Sequence, residues 1–288
     1  MDAERHAAAV PRALTIAGSD SGGGAGIQAD LKTFAVLGVW GMSALTSVTV
    51  QNTKGVTGVA DIPPEVVANQ IRAVVTDIGV DAAKTGMLSN TEIIEAVGAA
   101  VAEVGVPNLV VDPVFVSKHG DPLLRPDAVD ALRQRILPLA TVVTPNLPEA
   151  SGLAGFDVKT KDDMIEAAKA IQALGPVAVL VKGGHLNEPE SDDLFVEGTS
   201  LEWLSAERID TPHTHGTGCV LSSAIASFLA RGDGLLDAVR KGKEFVTQAI
   251  RHGLRIGEGI GPVSPGWRLL APPEEHVGPG GSEEGVLR

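Results

Sequence analysis

At 288 residues the chain can bury most of its apolar surface without disulfides or a structural metal, and its net charge of −13 excludes a nucleic-acid partner, because phosphate backbones demand a basic surface. Aromatic residues make up 3% of the chain and tyrosine is absent, which removes the stacking platforms that single strands use. A lone cysteine closes no internal disulfide, no run reaches the roughly 18 apolar residues of a membrane helix, and residues 1–12 lack the apolar core of a leader; a cytoplasmic protein is expected.

Residues 1–12 read as an extension. From there, β-branched apolar runs alternate with amphipathic ones, the pattern of βαβ units and a mostly parallel sheet. Strands are predicted at Ala13–Ala17, Thr46–Val50, Leu109–Val111, Thr141–Val143 and Val177–Val181, with Asp193–Val196 and Glu207–Ile209 as an antiparallel edge. Helices are predicted at Gly26–Leu37, Pro64–Val75, Thr91–Val104, Pro126–Ile136, Lys161–Leu174, Gly218–Ala230 and Leu235–Arg255, two of them opening on a proline whose fixed φ suits a first turn. No linker interrupts the series, so residues 13–270 are expected as one α/β domain, and the Gly-, Pro- and Glu-rich tail 271–288 as disordered. In such a fold the ligand crevice lies beyond the carboxyl ends of the strands, and the polar residues are concentrated there.

After the first strand comes Gly18-Ser19-Asp20-Ser21-Gly22-Gly23-Gly24-Ala25-Gly26, a glycine-rich turn that matches neither the dinucleotide fingerprint nor the Walker pattern. It serves either close helix–strand packing or a ligand. Asp30, an acid one turn into an otherwise apolar helix, is expected to face the crevice as an acceptor. Gln51 leaves the second strand with a donor and an acceptor that suit an amino-bearing ring nitrogen edge, although a lone amide there is more often a turn residue.

Asp112, Asn146 and Glu149 are oxygen donors at successive strand ends, a set that Mg²⁺ accepts together with waters and phosphate oxygens. Taken alone, Asn146 and Glu149 read first as caps of the next helix. Lys182, before Gly183-Gly184, is a cation at a further strand end, and Lys118 lies in a polar loop of the kind that folds over a site or simply stays solvated.

The most telling segment is Thr214-His215-Gly216-Thr217-Gly218-Cys219, a small, glycine-rich loop running into an apolar helix. Its unpaired N–H groups and dipole suit the charge of a transferring phosphoryl group. Cys219 in the first turn is either packed as a small hydrophobe or, with its pKa lowered by the dipole, a base toward a hydroxyl.

Taken in order, Ala17-Gly18-Ser19-Asp20, Gly23–Lys32, Gln51-Asn52-Thr53, Lys84-Thr85-Gly86-Met87-Leu88, Gly120–Leu124, Thr144–Ala150, Lys182–His185 and His215–Cys219 closely resemble the hydroxymethylpyrimidine/phosphomethylpyrimidine kinases of thiamine biosynthesis, within the ribokinase-like superfamily. The resemblance implies a three-layer α/β/α ribokinase-like fold around a mostly parallel sheet, and phosphorylation, with ATP and Mg²⁺, of 4-amino-5-hydroxymethyl-2-methylpyrimidine and then of its monophosphate. By position it implies that Gln51 holds the aminopyrimidine edge, that Gly18, Asp30 and Met87 line its pocket with Lys118 over it, and that Cys219 stands beside the hydroxymethyl group. Gly216, Thr217 and Gly218 become the anion hole, Asn146 and Glu149 serve the Mg²⁺–phosphate end with Asp112, and Lys182 lies near ATP. Relatives imply a homodimer. A pyridoxine or pyridoxal kinase is the alternative within the superfamily, and a non-catalytic ligand-binding protein the alternative outside it. Where the family reads Asp-Pro-Ser-Gly-Gly this chain has Asp20-Ser21-Gly22-Gly23-Gly24, expected to loosen the turn.

Overall fold

The computed structural model describes residues 10–117, 120, 123–125, 127–184 and 190–270. Lys118 and the tail 271–288 lie outside them, as do residues 1–9 of the expected extension and Pro126 of the expected helix start.

Strands β1 (Arg12–Ala17), β2 (Trp40–Leu45), β5 (Ala82–Thr85), β6 (Leu109–Val111), β7 (Val142–Val143), β8 (Ala178–Val181), β9 (Asp193–Glu197) and β10 (Ser200–Leu204) form one sheet in the order β10-β9-β8-β7-β6-β5-β1-β2. From β2 to β8 the neighbours are parallel, and β9 and β10 add an antiparallel edge. Strand alternation assigns the two faces: Leu14, Ile16, Leu109, Val111, Val179 and Val181 pack on one side against α2 (Pro64–Asp77), α3 (Thr91–Val104), α5 (Leu147–Ala154) and α6 (Lys161–Gln172). Ala13, Val110, Ala178 and Leu180 pack on the other against α1 (Gly26–Val36), α7 (Thr217–Ala230) and α8 (Leu235–Arg251). Both faces are covered, so the strands read as continuous apolar runs, and the result is the expected three-layer α/β/α architecture.

Thr46–Val50 is not a strand of that sheet. Its neighbour β2 takes the place beside β1, and β3 (Ser47–Asn52) pairs only with β4 (Gly55–Asp61) as a separate antiparallel hairpin. The physical reason is visible in the burial: Thr49 is inside while Val48 and Val50 remain 43% and 63% exposed, which a doubly covered sheet would not allow. The edge partner of β9 is β10, and Glu207 makes only an isolated bridge with Glu190. The predicted helix at Pro126–Ile136 forms a short α4 (Ala128–Ala131) continued as a wider π turn (Leu132–Ile136), and α5, the helix whose caps the sequence placed at Asn146 and Glu149, follows β7. The last described helix is α9 (Trp267–Leu270).

Candidate active site

At the carboxyl ends of β1, β5, β6 and β8 a cleft of about 640 Å³ opens toward the start of α7 and the β3–β4 hairpin. Gly18, Gln51, Met87, Asp112, Asn146, Glu149, Lys182 and Gly216 to Cys219 all line it, so the tertiary fold gathers residues from most of the length of the chain around one space.

The α7 mouth is built by Gly216. Its φ of +80° belongs to the left-handed region, and a side chain there would also lie 1.9 Å from the Gly24 carbonyl oxygen, so only glycine completes the turn. No side-chain cap is formed on the helix, and Gly216 to Cys219, at the dipole's positive end, line the cleft. Thr217 folds its hydroxyl back to the Thr214 carbonyl at 2.7 Å, stiffening the loop.

Cys219 corrects an expectation. Burial is the largest influence on its thiol and, despite the opposing Lys84 ammonium, pushes the pKa up to about 11. Desolvation outweighs Lys84 and the Gly26 backbone hydrogen bond, so the group is a neutral thiol in the resting enzyme and not a lowered-pKa base.

Asp30 is also corrected. It does not face the crevice; it is wholly buried, where it accepts from Lys84 Nζ at 3.0 Å, from Thr15 Oγ1 at 2.6 Å and from Ser223 Oγ at 2.6 Å, tying β1, β5 and α7 together. Lys84, which sequence reasoning passed over, does reach the cleft wall. Burial disfavours its charge, but Asp30 and its neighbours prevail and hold it protonated well above the usual lysine range. The usable signal was a lysine inside an otherwise small and apolar strand, Ala82-Ala83-Lys84-Thr85.

At the acceptor end, Gly18 is so close to Met87 that a Cβ would stand 3.1 Å from its sulfur. Gln51 sits at a register shift between Val50 and Gln51, a bulge of the kind that re-aims a side chain. Ser21 does not loosen its turn. Its hydroxyl accepts from the Gln51 N–H at 2.8 Å and contacts the Thr49 and Gln51 carbonyls at 2.9 and 3.0 Å, fastening the turn to β3.

At the other end, Asn146 and Glu149 form a reciprocal capping box on α5, with Asn146 Oδ1 accepting from the Glu149 N–H at 2.9 Å and Glu149 Oε2 from the Asn146 N–H at 2.8 Å. Both are caps and both border the cleft. Lys182 Nζ lies 3.1 Å from Asp112 Oδ1 and 3.9 Å from Glu149 Oε2. Burial works against its charge, but the two carboxylates raise its pKa. Glu149 is itself raised, chiefly by burial, with Lys182 opposing and Asp112 adding to the shift. Two carboxylates thus share one ammonium, an under-compensated set that gains from a further cation, although among the described residues no three His, Cys, Asp or Glu are arranged to hold a metal.

A family model for phosphomethylpyrimidine kinase matches residues 20–264, the stretch that contains this cleft. The chain belongs to the phosphomethylpyrimidine kinase family. It is 54% identical to the hydroxymethylpyrimidine/phosphomethylpyrimidine kinase of Streptomyces coelicolor over 90% of this chain and 96% of that one. It is 49% identical to the thiamine biosynthesis bifunctional protein ThiED of Geobacter sulfurreducens, over 87% of this chain and 51% of that longer protein. Among solved structures it is similar to the Bacillus subtilis pyridoxal kinase in complex with ADP, with a TM-score of 0.85, 44% identity, and coverage of 91% of this chain and 100% of that one. The protein is a phosphotransferase of this family, with the ribokinase-like fold.

Proposed function

We propose that the protein uses ATP to phosphorylate 4-amino-5-hydroxymethyl-2-methylpyrimidine, and then the resulting monophosphate, yielding the diphosphate used in thiamine biosynthesis. The observation that carries this reading is that the uncapped α7 mouth and Gln51 border one and the same cleft. Gln51 offers a donor and an acceptor to the aminopyrimidine edge, and Gly18 and Met87 flank the ring. The amides of residues 216–219 receive the equatorial oxygens of the transferring group, and Lys182 stands near the nucleotide phosphates.

Asp112 and Glu149 are the residues to hold Mg²⁺, which supplies charge neutralisation on the phosphates, by one or two carboxylates with waters as this ion prefers. In the first transfer the hydroxymethyl oxygen bonds to the γ-phosphorus as the bond from that phosphorus to the leaving oxygen of ADP breaks. Cys219 takes the hydroxyl proton while passing its own to a phosphate oxygen, a relay open to a neutral thiol. In the second transfer the attacking atom is an ionised phosphate oxygen, with no proton to remove.

A cytoplasmic homodimer is part of the proposal; the apolar residues Val48, Val50 and Val59 exposed on the hairpin support pairing, which the mass in solution tests. Among the described residues, no helix is long and apolar enough to cross a membrane. The deciding experiment is a coupled ADP-release assay with the pyrimidine alcohol, its monophosphate and pyridoxal offered separately. Turnover with both pyrimidines supports the reading, whereas turnover with pyridoxal alone replaces it with the activity named for the Bacillus subtilis structure.

A further inference from the structure

Asp20 is 2% exposed and spends its carboxylate in two directions. It closes its own turn, Oδ1 accepting from the Gly22 N–H at 2.8 Å and Oδ2 from the Gly24 and Ala25 N–H groups at 3.0 and 2.8 Å. Oδ2 also lies 2.8 Å from His215 Nε2, across 195 residues of chain. Burial disfavours the charge on Asp20, but His215 and the Gly22 and Ala25 amides hold its pKa below the usual carboxylate range, so the acceptor is present at neutral pH.

His215 immediately precedes Gly216, and its own backbone is pinned on the opposite side, its N–H donating to the Gly261 carbonyl at 3.1 Å and its carbonyl accepting from Val263 at 3.0 Å. The imidazole lies flush on the first glycine turn, where a Cβ on Gly24 would stand 2.5 Å from His215 Cδ2. A Cβ on Gly216 would in turn strike the Gly24 carbonyl at 1.9 Å. The two glycine-rich turns are therefore in backbone contact, and the buried Asp20–His215 link crosses between them. One turn adjoins Gly18 and Gln51, and the other carries residues 216–219 at the α7 mouth.

From this geometry we infer that Asp20 and His215 are a positioning pair that sets the spacing between the amides of residues 216–219 and the acceptor pocket, so that they govern transfer and not binding. Neither residue is required to touch the reacting atoms. The inference rests on the kinase reading above and deepens it. An ångström of misplacement costs transfer rate far more than affinity, on the order of 100-fold.

The test uses the intact protein with ATP and the pyrimidine alcohol. His215→Ala is expected to lower kcat by about 10- to 100-fold with KM for both substrates within about 2-fold, while ADP binding measured by calorimetry is unchanged. His215→Gln, whose amide nitrogen can reproduce the Nε2 donor to Asp20, is expected to recover most of kcat. The double variant Asp20→Asn/His215→Ala should be no slower than the worse of the two single variants, because both sever one link. The inference is overturned by a kcat for His215→Ala within about 2-fold of the unaltered enzyme, by a Gln variant no better than Ala at equal Tm, or by multiplying effects in the double variant. If the unaltered protein itself fails to turn over a pyrimidine, the kinase reading fails; if only these variants behave otherwise, the positioning pair alone does.

Discussion

The ammonium of Lys84 lies 3.0 Å from Asp30 Oδ2, and neither side chain has any exposed surface. Two more hydroxyls, Thr15 and Ser223, complete the shell of the carboxylate, so the charges are paired and hydrogen-bonded as burial demands. Removing one partner strands the other. Lys84→Met is expected to cost about 3–5 kcal/mol in urea unfolding, and Lys84→Met/Asp30→Leu to recover part of that. The pKa of Lys84 is raised, so its contribution is fully present below the unfolded lysine value and falls only as pH climbs through the folded one; the cost should be constant across neutral pH. A double variant less stable than either single one would refute this account of the pair.

Cys219 should matter unequally to the two transfers. The alcohol must give up a proton, whereas the monophosphate attacks through an oxygen already ionised. Cys219→Ala is therefore expected to slow the alcohol step by about 100-fold and the monophosphate step by no more than about 3-fold. Separate steady-state assays of the two acceptors check this, and equal losses would take the thiol out of the proton relay.

The same thiol makes a pH prediction. With its pKa pushed up to about 11 by burial, alkylation by iodoacetamide should be slow near pH 8 and accelerate toward pH 11. The folded thiol keeps its proton where the unfolded one releases it, so its contribution is whole below the ordinary thiol pKa. It declines as pH rises from there through 11. Cys219→Ser should flatten that decline, as pH-dependent thermal melts would reveal.

Ser21 and Gln51 are tied through the Gln51 N–H, and the hydroxyl is the only part of Ser21 that reaches β3 in the bonds described. Ser21→Ala should raise KM for the pyrimidine by about 3- to 10-fold, the worth of one or two net hydrogen bonds, and leave KM for ATP alone. Gln51→Leu should act in the same direction and more strongly. An equal rise for ATP in either variant would mean that the hairpin does not serve the acceptor pocket.

Much of this was legible along the chain. The periodicity of Ala13–Ala17, Leu109–Val111 and Val177–Val181 marks buried parallel strands because both faces are covered, and Gly216-Thr217-Gly218 before an apolar helix marks a helix start without a side-chain cap because missing caps are a local property. Other features left little trace. The lysine of Ala82-Ala83-Lys84-Thr85 looks out of place in a strand until Asp30 arrives from α1, and Thr46–Val50 looks like a core strand from its β-branched residues, although its valines face solvent on a hairpin whose place in space is not written in its pattern.

Composition, strand and helix periods and the glycine-rich turns, by themselves, determined the α/β class, the sheet's helical cover on both sides and the order of polar residues at the strand ends, because these depend on neighbours a few positions away. Folding in three dimensions decided whether each polar group met a partner: Asp30 went to Lys84 and Asp20 to His215, while burial raised the pKa of the Cys219 thiol against the pull of Lys84. Ionisation and hydrogen bonding are set by whatever lies within a few ångströms, and here those neighbours lie 54 and 195 residues away along the chain.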